Sequence, residues 1–445
     1  MNLRTSVIAR LVIMGLILIG LLIPLTMVQS VVTERAARRD SVAAEMSGTW
    51  GGPQTIAGPM LIVPYRCVIT ENDGRTRLMT WRATFLPDAL DVQGVLEPEV
   101  RKRSLFRVVV YKAHLKISGR FSRPDLASLA RTGIEPLWNE AVVSVGIADT
   151  HGIARRATLK WNEVDLALEP GTIDTGLFPA GLQVPVDLTS TPAASAIPFS
   201  LDLDLNGYRD LRILPVGSDT TMQLTSSWPH PSFVGGPLPE TRSMNGTGFT
   251  ALWRVPYFGR GFSRSWTDAG LDRGKMKTQA DASAFGVSLL QPVDIYQQAE
   301  RAVKYASLFI VMTFVVFFLF EVVHTQLLHP VQYLFVGFAM CIFYLLLLSI
   351  SEHIGFDAAY AGAATVTILL IATYSVFVLG GFWGGALIGT ALGAVYGFLY
   401  LLLRLEDYAL LAGSVGLFAM LALVMLLTRR VNWYDLKLGT PDPSV

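Results

Sequence analysis

Strongly apolar runs occupy the two ends of this chain and leave its middle polar. One run extends from Leu11 to Val28, and five more are crowded between Ala302 and Leu427. A helix rises about 1.5 Å per residue, so roughly 20 apolar residues cross the hydrocarbon core of a bilayer. Six segments meet that requirement: Leu11–Val28, Ala302–Val323, Val331–Ile350, Ala358–Leu379, Phe382–Leu403 and Tyr408–Leu427. In lipid every backbone N–H and C=O must be paired internally, and a helix does that. The first run exceeds the usual signal-peptide core of about 7–15 residues, which favours an uncleaved anchor.

The polar middle has a different texture. Val31–Ser47 is charge-rich and reads as a helix continuing the first apolar segment outward, stopped at Gly48 and at Gly51-Gly52-Pro53. Beyond it, Phe199–Leu205 alternates apolar and polar with period two, as a strand with one wet face does. Met60–Pro64, Leu78–Leu86, Arg107–Phe121, Val142–Ile147, Ala157–Trp161, Met222–Ser226, Phe249–Val255 and Phe285–Leu290 are further strand candidates. Asp125–Arg131 alone reads as a short helix, and Asp268–Ala284 reads as a loop. Short strands with recurring turn residues predict an antiparallel β-sandwich-like domain rather than a parallel α/β sheet. The fold class is thus membrane α plus soluble all-β: an anchor at 1–30, a β-rich periplasmic domain at 31–300, five transmembrane helices at 301–428, and a cytoplasmic tail at 429–445.

Orientation follows from flanking charge. Arg429, Arg430 and Lys437 follow the last apolar segment, while Ser351–Asp357 carries Glu352 and Asp357 and no Lys or Arg. The basic tail belongs on the cytoplasmic side. Six crossings then put both termini there and the middle domain outside.

Charged residues are only 16% of the chain, against about a quarter in soluble domains. The net charge is +1, and no basic stretch with interleaved aromatics marks a nucleic-acid groove. Cys67 lies in the polar region and Cys341 in an apolar run, so a disulfide between them is not expected. The chain lacks a GxSxG elbow, HExxH, a P-loop and a strand-borne GxGxxG, which removes the positive case for an enzyme; no cofactor is expected.

Four features stand out as candidate sites. Glu321 and His324 are three apart on one helical face, with His329 next in the connection, so they are weak metal candidates; the plainer reading is a cluster ending the helix. Glu352 and His353 end the third apolar segment, one helix length from the first pair, so the two pairs belong to opposite membrane faces. In Trp228-Pro229-His230-Pro231-Ser232-Phe233 two prolines hold His230 extended, either as a presentation loop for a partner or as a buried structural turn. Gly381, Gly385, Gly389, Gly393 and Gly397 recur every fourth residue and let another helix approach closely, within the chain or across a homodimer seam.

Several stretches carry a family resemblance. They are Gly52-Pro53-Gln54, Gly58-Pro59, Glu169-Pro170-Gly171, Ser226–Phe233, Asp294–Ala306, and above all Leu328–Tyr333 and Phe343–Leu348 with Ser351-Glu352-His353. On these residues the chain resembles the CreD family of bacterial inner-membrane proteins over nearly its full length. The resemblance implies a role in cell-envelope integrity, production under a two-component system, and tolerance of certain colicins and β-lactams. It implies no catalytic residue. The partners expected are the lipid bilayer and a periplasmic protein or cell-wall component. A membrane-embedded enzyme or lipid-handling protein is the alternative, and a small-solute transporter a more distant one.

Overall fold

The computed structural model describes residues 7–429, apart from 71–75, 127–133, 172, 174–175, 179, 193–194, 270, 290–294, 325–327 and 406–407. Seven α-helices occur among the described residues: α1 (Val7–Trp50), α2 (Arg273–Ser283), α3 (Ile295–His324), α4 (Pro330–Ile354), α5 (Phe356–Val378), α6 (Phe382–Arg404) and α7 (Ala409–Thr428). All but α2 are long and apolar enough to cross a membrane. The chain divides into two units, Met1–Asp40 with Val293–Val445, and Ser41–Pro292.

In the first unit α4 packs against α3 and α5, and α6 against α3 and α5. An aromatic knot joins three of these helices. Phe343 of α4 meets Tyr360 of α5 and Tyr396 of α6 edge-on, with ring centroids 5.5 Å and 4.7 Å away. Such edge-to-face pairs contribute about 0.5–1.5 kcal/mol beyond the area they bury. The Tyr360 hydroxyl also donates to the Tyr396 carbonyl at 2.6 Å. The start of α1 lies against α4, where a Cβ on Gly337 would collide with Leu21.

The second unit is built from two large sheets. The ten-stranded sheet runs Pro231–Gly235, Phe285–Leu289, Asp210–Ile213, Gln54–Thr70, Ala141–Ile147, Gly181–Val186 and Glu169–Pro170; Thr76–Phe85 and Ile134–Pro136 also pair with Gln54–Thr70, and Ser265–Thr267 pairs with Thr76–Phe85. The eight-stranded sheet runs Thr241–Asn245, Gly248–Pro256, Asp219–Ser226, Ala89–Arg103, Phe106–Ser122, Ala196–Tyr208, Thr158–Trp161 and Val164–Ala167. One continuous buried cluster takes side chains from both, including Met60, Val143 and Val287 from the first and Val92, Ile117, Leu203 and Trp253 from the second. The two sheets bury themselves differently. In the eight-stranded sheet burial alternates, as along Ala196–Tyr208, because one face is wet. In the ten-stranded sheet Phe285–Leu289 is buried at every position, so it reads as an unbroken apolar run.

Three expectations need correction. The sheets are not purely antiparallel: Gln54–Ile56 pairs with Leu211–Ile213, and Asp219–Ser226 with Ala89–Leu96, in parallel. Both parallel pairs join strands far apart in sequence, which a pattern of local turns does not reveal. The stretch Asp268–Ala284, read as a loop, contains α2, capped by the Asp272 side chain accepting from the Lys275 N–H at 3.0 Å. The long strand Ala89–Arg103 escaped the pattern because Gly94, Pro98 and a charged end interrupt it. The helix expected at Asp125–Arg131 lies mostly outside the described residues.

The apolar and charged parts of α1 form one helix, and it stops where the glycines require. Gly51 has φ +130°, and a Cβ there would sit 2.5 Å from the Asn206 carbonyl oxygen. Beyond it, Gln54 is fully buried and donates to the carbonyls of Asp149 (3.0 Å) and Asn206 (3.1 Å), while the Gly52 N–H donates to the Asp149 carboxylate at 2.7 Å. The Gly-Pro-Gln stretch is therefore a staple holding the first strand onto a distant loop at Asp149 and a strand of the other sheet at Asn206. Burial works against the charge on Asp149, but hydrogen bonds from Gly52 and His151 outweigh it and hold this carboxyl below its ordinary range.

Candidate functional site

The charged groups of the membrane unit gather at the ends of its helices. Glu321, in the last turn of α3, is 1% exposed. An unpaired carboxylate there would be costly in lipid, so partners are required. Three are supplied. Arg10 of α1 forms an ion pair with it, the Tyr333 hydroxyl of α4 donates at 3.0 Å, and the Leu328 backbone N–H donates at 3.2 Å. One carboxylate thus ties three helices and the connection between two of them.

A second cluster sits at the far end of α4. Glu352 accepts from the Tyr296 hydroxyl of α3 at 3.0 Å and lies 4.0 Å from the Arg35 guanidinium of α1. The Arg39 guanidinium stands 5.7 Å from the Tyr296 ring centroid. Arg10 and Arg35 are 25 positions apart on one helix, a rise of about 37 Å. That distance brackets a hydrocarbon core of about 30 Å. A third tie lies between α5 and α6, where Arg404 donates to Asp357 at 2.5 Å and to the Tyr400 hydroxyl at 3.0 Å.

The histidines expected beside the two glutamates serve the chain locally where they are described. The His329 side chain caps α4, accepting from the Val331 N–H at 3.3 Å, while Gln332 returns a bond to the His329 N–H at 2.9 Å. His353 sits 3.0 Å from the Ser349 carbonyl, one turn back. The side chain of His324 lies outside the described residues. Among the described residues no group of three His, Cys, Asp or Glu side chains could hold a metal ion.

Elsewhere the candidates separate. Trp228 packs half-buried against the β core, His230 is exposed, and Pro231–Gly235 forms a strand at the end of the ten-stranded sheet. Phe233 of that strand meets Phe249 and Trp253 edge-on at 5.9 Å and 5.6 Å. The glycine series also divides. A Cβ on Gly385 would strike Val376 of α5, and one on Gly389 would sit 3.1 Å from the Ala372 Cβ of the same helix. Gly381, Gly393 and Gly397 have open space at that position. Sequence reading missed Arg10 as the partner of Glu321. Its only trace is a basic residue bordering one apolar run and an acidic residue bordering another.

The sequence model of the family described as "Inner membrane protein CreD" matches residues 6–434. The Escherichia coli (strain K12) inner membrane protein CreD is 35% identical over 422 residues, covering 94% of this chain and 92% of that protein. The chain belongs to the CreD family. Its relative is an inner membrane protein, in keeping with the six apolar helices. A solved M1 zinc metallopeptidase mutant from Deinococcus radiodurans aligns at 12% identity over 39% of this chain and 41% of that one, with a TM-score of 0.18. A likeness at that level carries no argument. Leu328–Tyr333 and Ser351–His353 of this chain coincide with the two glutamate clusters: Tyr333 donates to Glu321, and Glu352 accepts from Tyr296.

Proposed function

We propose that this protein supports cell-envelope integrity from the inner membrane by binding or signalling rather than by catalysis. In this reading its β-rich unit lies in the periplasm and both termini in the cytoplasm. The basic residues after the last apolar segment and the acidic, Lys- and Arg-free stretch Ser351–Asp357 where α4 meets α5 support that orientation. Family membership supports the inner membrane as the location.

The observation that carries the non-catalytic reading is the state of Glu321. The alternative, a membrane enzyme or lipid-handling protein, needs this carboxylate as its acid, base or ligand. It is instead spent on Arg10, Tyr333 and the Leu328 N–H. A carboxylate whose oxygens are occupied by a guanidinium and two further donors is not presented to a substrate. The test is a strain lacking its own family member, challenged with a β-lactam or a colicin. The paired change Arg10→Met with Glu321→Leu removes both charges together. Full protection at normal protein level supports the reading; loss of protection at normal protein level favours chemistry at Glu321.

A further inference from the structure

An open cleft of about 580 Å³ lies on the β-rich unit, lined by Tyr257, Phe258, Arg260, Phe262, Lys275 and Met276 among others. Its volume falls in the range of small-molecule sites, about 300–1,000 Å³. Arg260 decides its chemistry. The side chain is only 7% exposed and has no carboxylate partner among the described residues; Nη1 donates to the carbonyls of Val216 (2.5 Å) and Gly217 (3.1 Å). Nε and Nη2 are buried and have no carbonyl or carboxylate partner among the described residues; the Tyr257 hydroxyl is the side chain that bonds the guanidinium from the cleft side. Nε and Nη2 share one edge of the guanidinium, and together they form the fork that grips two oxygens of one planar anion. The guanidinium is thus anchored through one nitrogen, and Tyr257 rather than a carboxylate covers its recognition edge.

The surroundings narrow the ligand. Tyr257 stacks 4.7 Å from the Arg260 Cζ and Phe262 lies 5.6 Å away. Phe258 is 92% exposed at the rim, an aromatic ring with almost no cover. Two cations, Arg260 and Lys275, face one anion, Asp272, whose carboxylate already caps α2. The balance is one positive charge, which suits a monoanion better than a dianionic phosphate ester. Tyr257 is 40% exposed, so its ring has room to rotate away from the guanidinium and admit a ligand to the fork.

We infer that this cleft binds an amphipathic monocarboxylate, its carboxylate on the Arg260 fork and its apolar body against Phe258 and Met276. The carboxylate comes from a free apolar acid or from the C-terminus of a short peptide ending in an apolar residue. The inference is independent of the orientation and of the protective role proposed above, since it is read on purified protein.

The experiment uses the full chain in lipid nanodiscs and isothermal titration calorimetry. Its probes are N-acetylphenylalanine, N-acetylphenylalaninamide, Ala-Ala-Phe, the amide of that tripeptide, and phenyl phosphate. The acids bind and the amides do not. Tighter binding of Ala-Ala-Phe than of N-acetylphenylalanine identifies a peptide terminus, and the reverse identifies a free acid. Arg260→Lys keeps the charge and loses the fork, and weakens binding roughly 10- to 100-fold. Because Arg260 also anchors two carbonyls, Phe258→Ala provides a second variant that breaks no hydrogen bond; it weakens binding several-fold with an unchanged unfolding temperature. Equal binding of acid and amide, no binding of either at 10 mM (an order-of-magnitude ceiling, about 3 kcal/mol), preference for phenyl phosphate, or unchanged affinity in both variants overturns the inference.

Discussion

Removing one member of the Arg10–Glu321 pair should cost far more than removing both. Glu321 is 1% exposed and the Arg10 side chain 15%, so both charges are largely removed from water, Glu321 almost wholly. Deleting one partner of a buried pair typically costs about 3–5 kcal/mol, because the survivor is left uncompensated. Glu321→Leu strands the Arg10 guanidinium and also frees the Tyr333 hydroxyl and the Leu328 N–H, so it belongs at the upper end of that range. Arg10→Met leaves Glu321 with its two remaining hydrogen bonds and belongs at the lower end, near 3 kcal/mol. Replacing both by apolar side chains removes the stranded charge, and the double variant should lie within about 1–2 kcal/mol of the native protein. A double-mutant cycle on the purified protein, unfolded reversibly in mixed micelles, measures the coupling directly. The losses above imply a coupling of about 6 kcal/mol, larger than for ordinary contacting residues because each single change strands a buried partner. Single losses under about 1 kcal/mol, or strictly additive losses, would refute the claim that this pair ties α1 to α3.

Other consequences are open to measurement. Gln54→Ala leaves the carbonyls of Asp149 and Asn206 without their buried donor, and should lower the stability of the β-rich unit by about 2–3 kcal/mol in thermal unfolding. Asp149 has a depressed carboxyl pKa, so its contribution is present above the ordinary carboxylate range and is lost as the pH falls through the lower folded value. Asp149→Asn should therefore be less stable than the native protein at neutral pH, and the gap should narrow as unfolding is followed downward from pH 5 (about one unit above an unfolded Asp); a gap that widens on acidification would contradict this. Gly385→Val should collapse the membrane yield, since α5 already fills the space a side chain needs, whereas Gly393→Val should leave it near normal. Equal yields of the two would show that α5 does not seat on the glycine series.

Much of the layout was legible because hydrocarbon thickness and strand alternation are local rules. The six apolar helices and the alternating strand at Ala196–Tyr208 announce themselves through composition and period. What escaped is set by distant partners. Ala89–Arg103 is a strand despite Gly94 and Pro98 because Phe106–Ser122 pairs with it along its whole length. α2 has low apolar content and is recognisable mainly by its Asp272 cap. At the candidate sites, residue type was visible but purpose was not. Glu321 was conspicuous as an acid at the end of an apolar run, yet its partner lies more than three hundred positions away at Arg10, and no spacing rule connects them. Arg260 looks like an ordinary loop arginine until its burial without a carboxylate partner among the described residues is seen. His329, read chiefly as part of a cluster ending the helix, caps the start of the next one.

The side of the membrane on which the β-rich unit lies is the claim from which the proposed role follows. A single cysteine at Thr247, an exposed position in the turn between two strands, on a background with Cys67 and Cys341 replaced by serine, reports it directly. In intact cells made permeable only at the outer membrane, a membrane-impermeant maleimide should label this cysteine fully, before lysis. Labelling that appears only after the inner membrane is broken would place the unit in the cytoplasm and contradict the account.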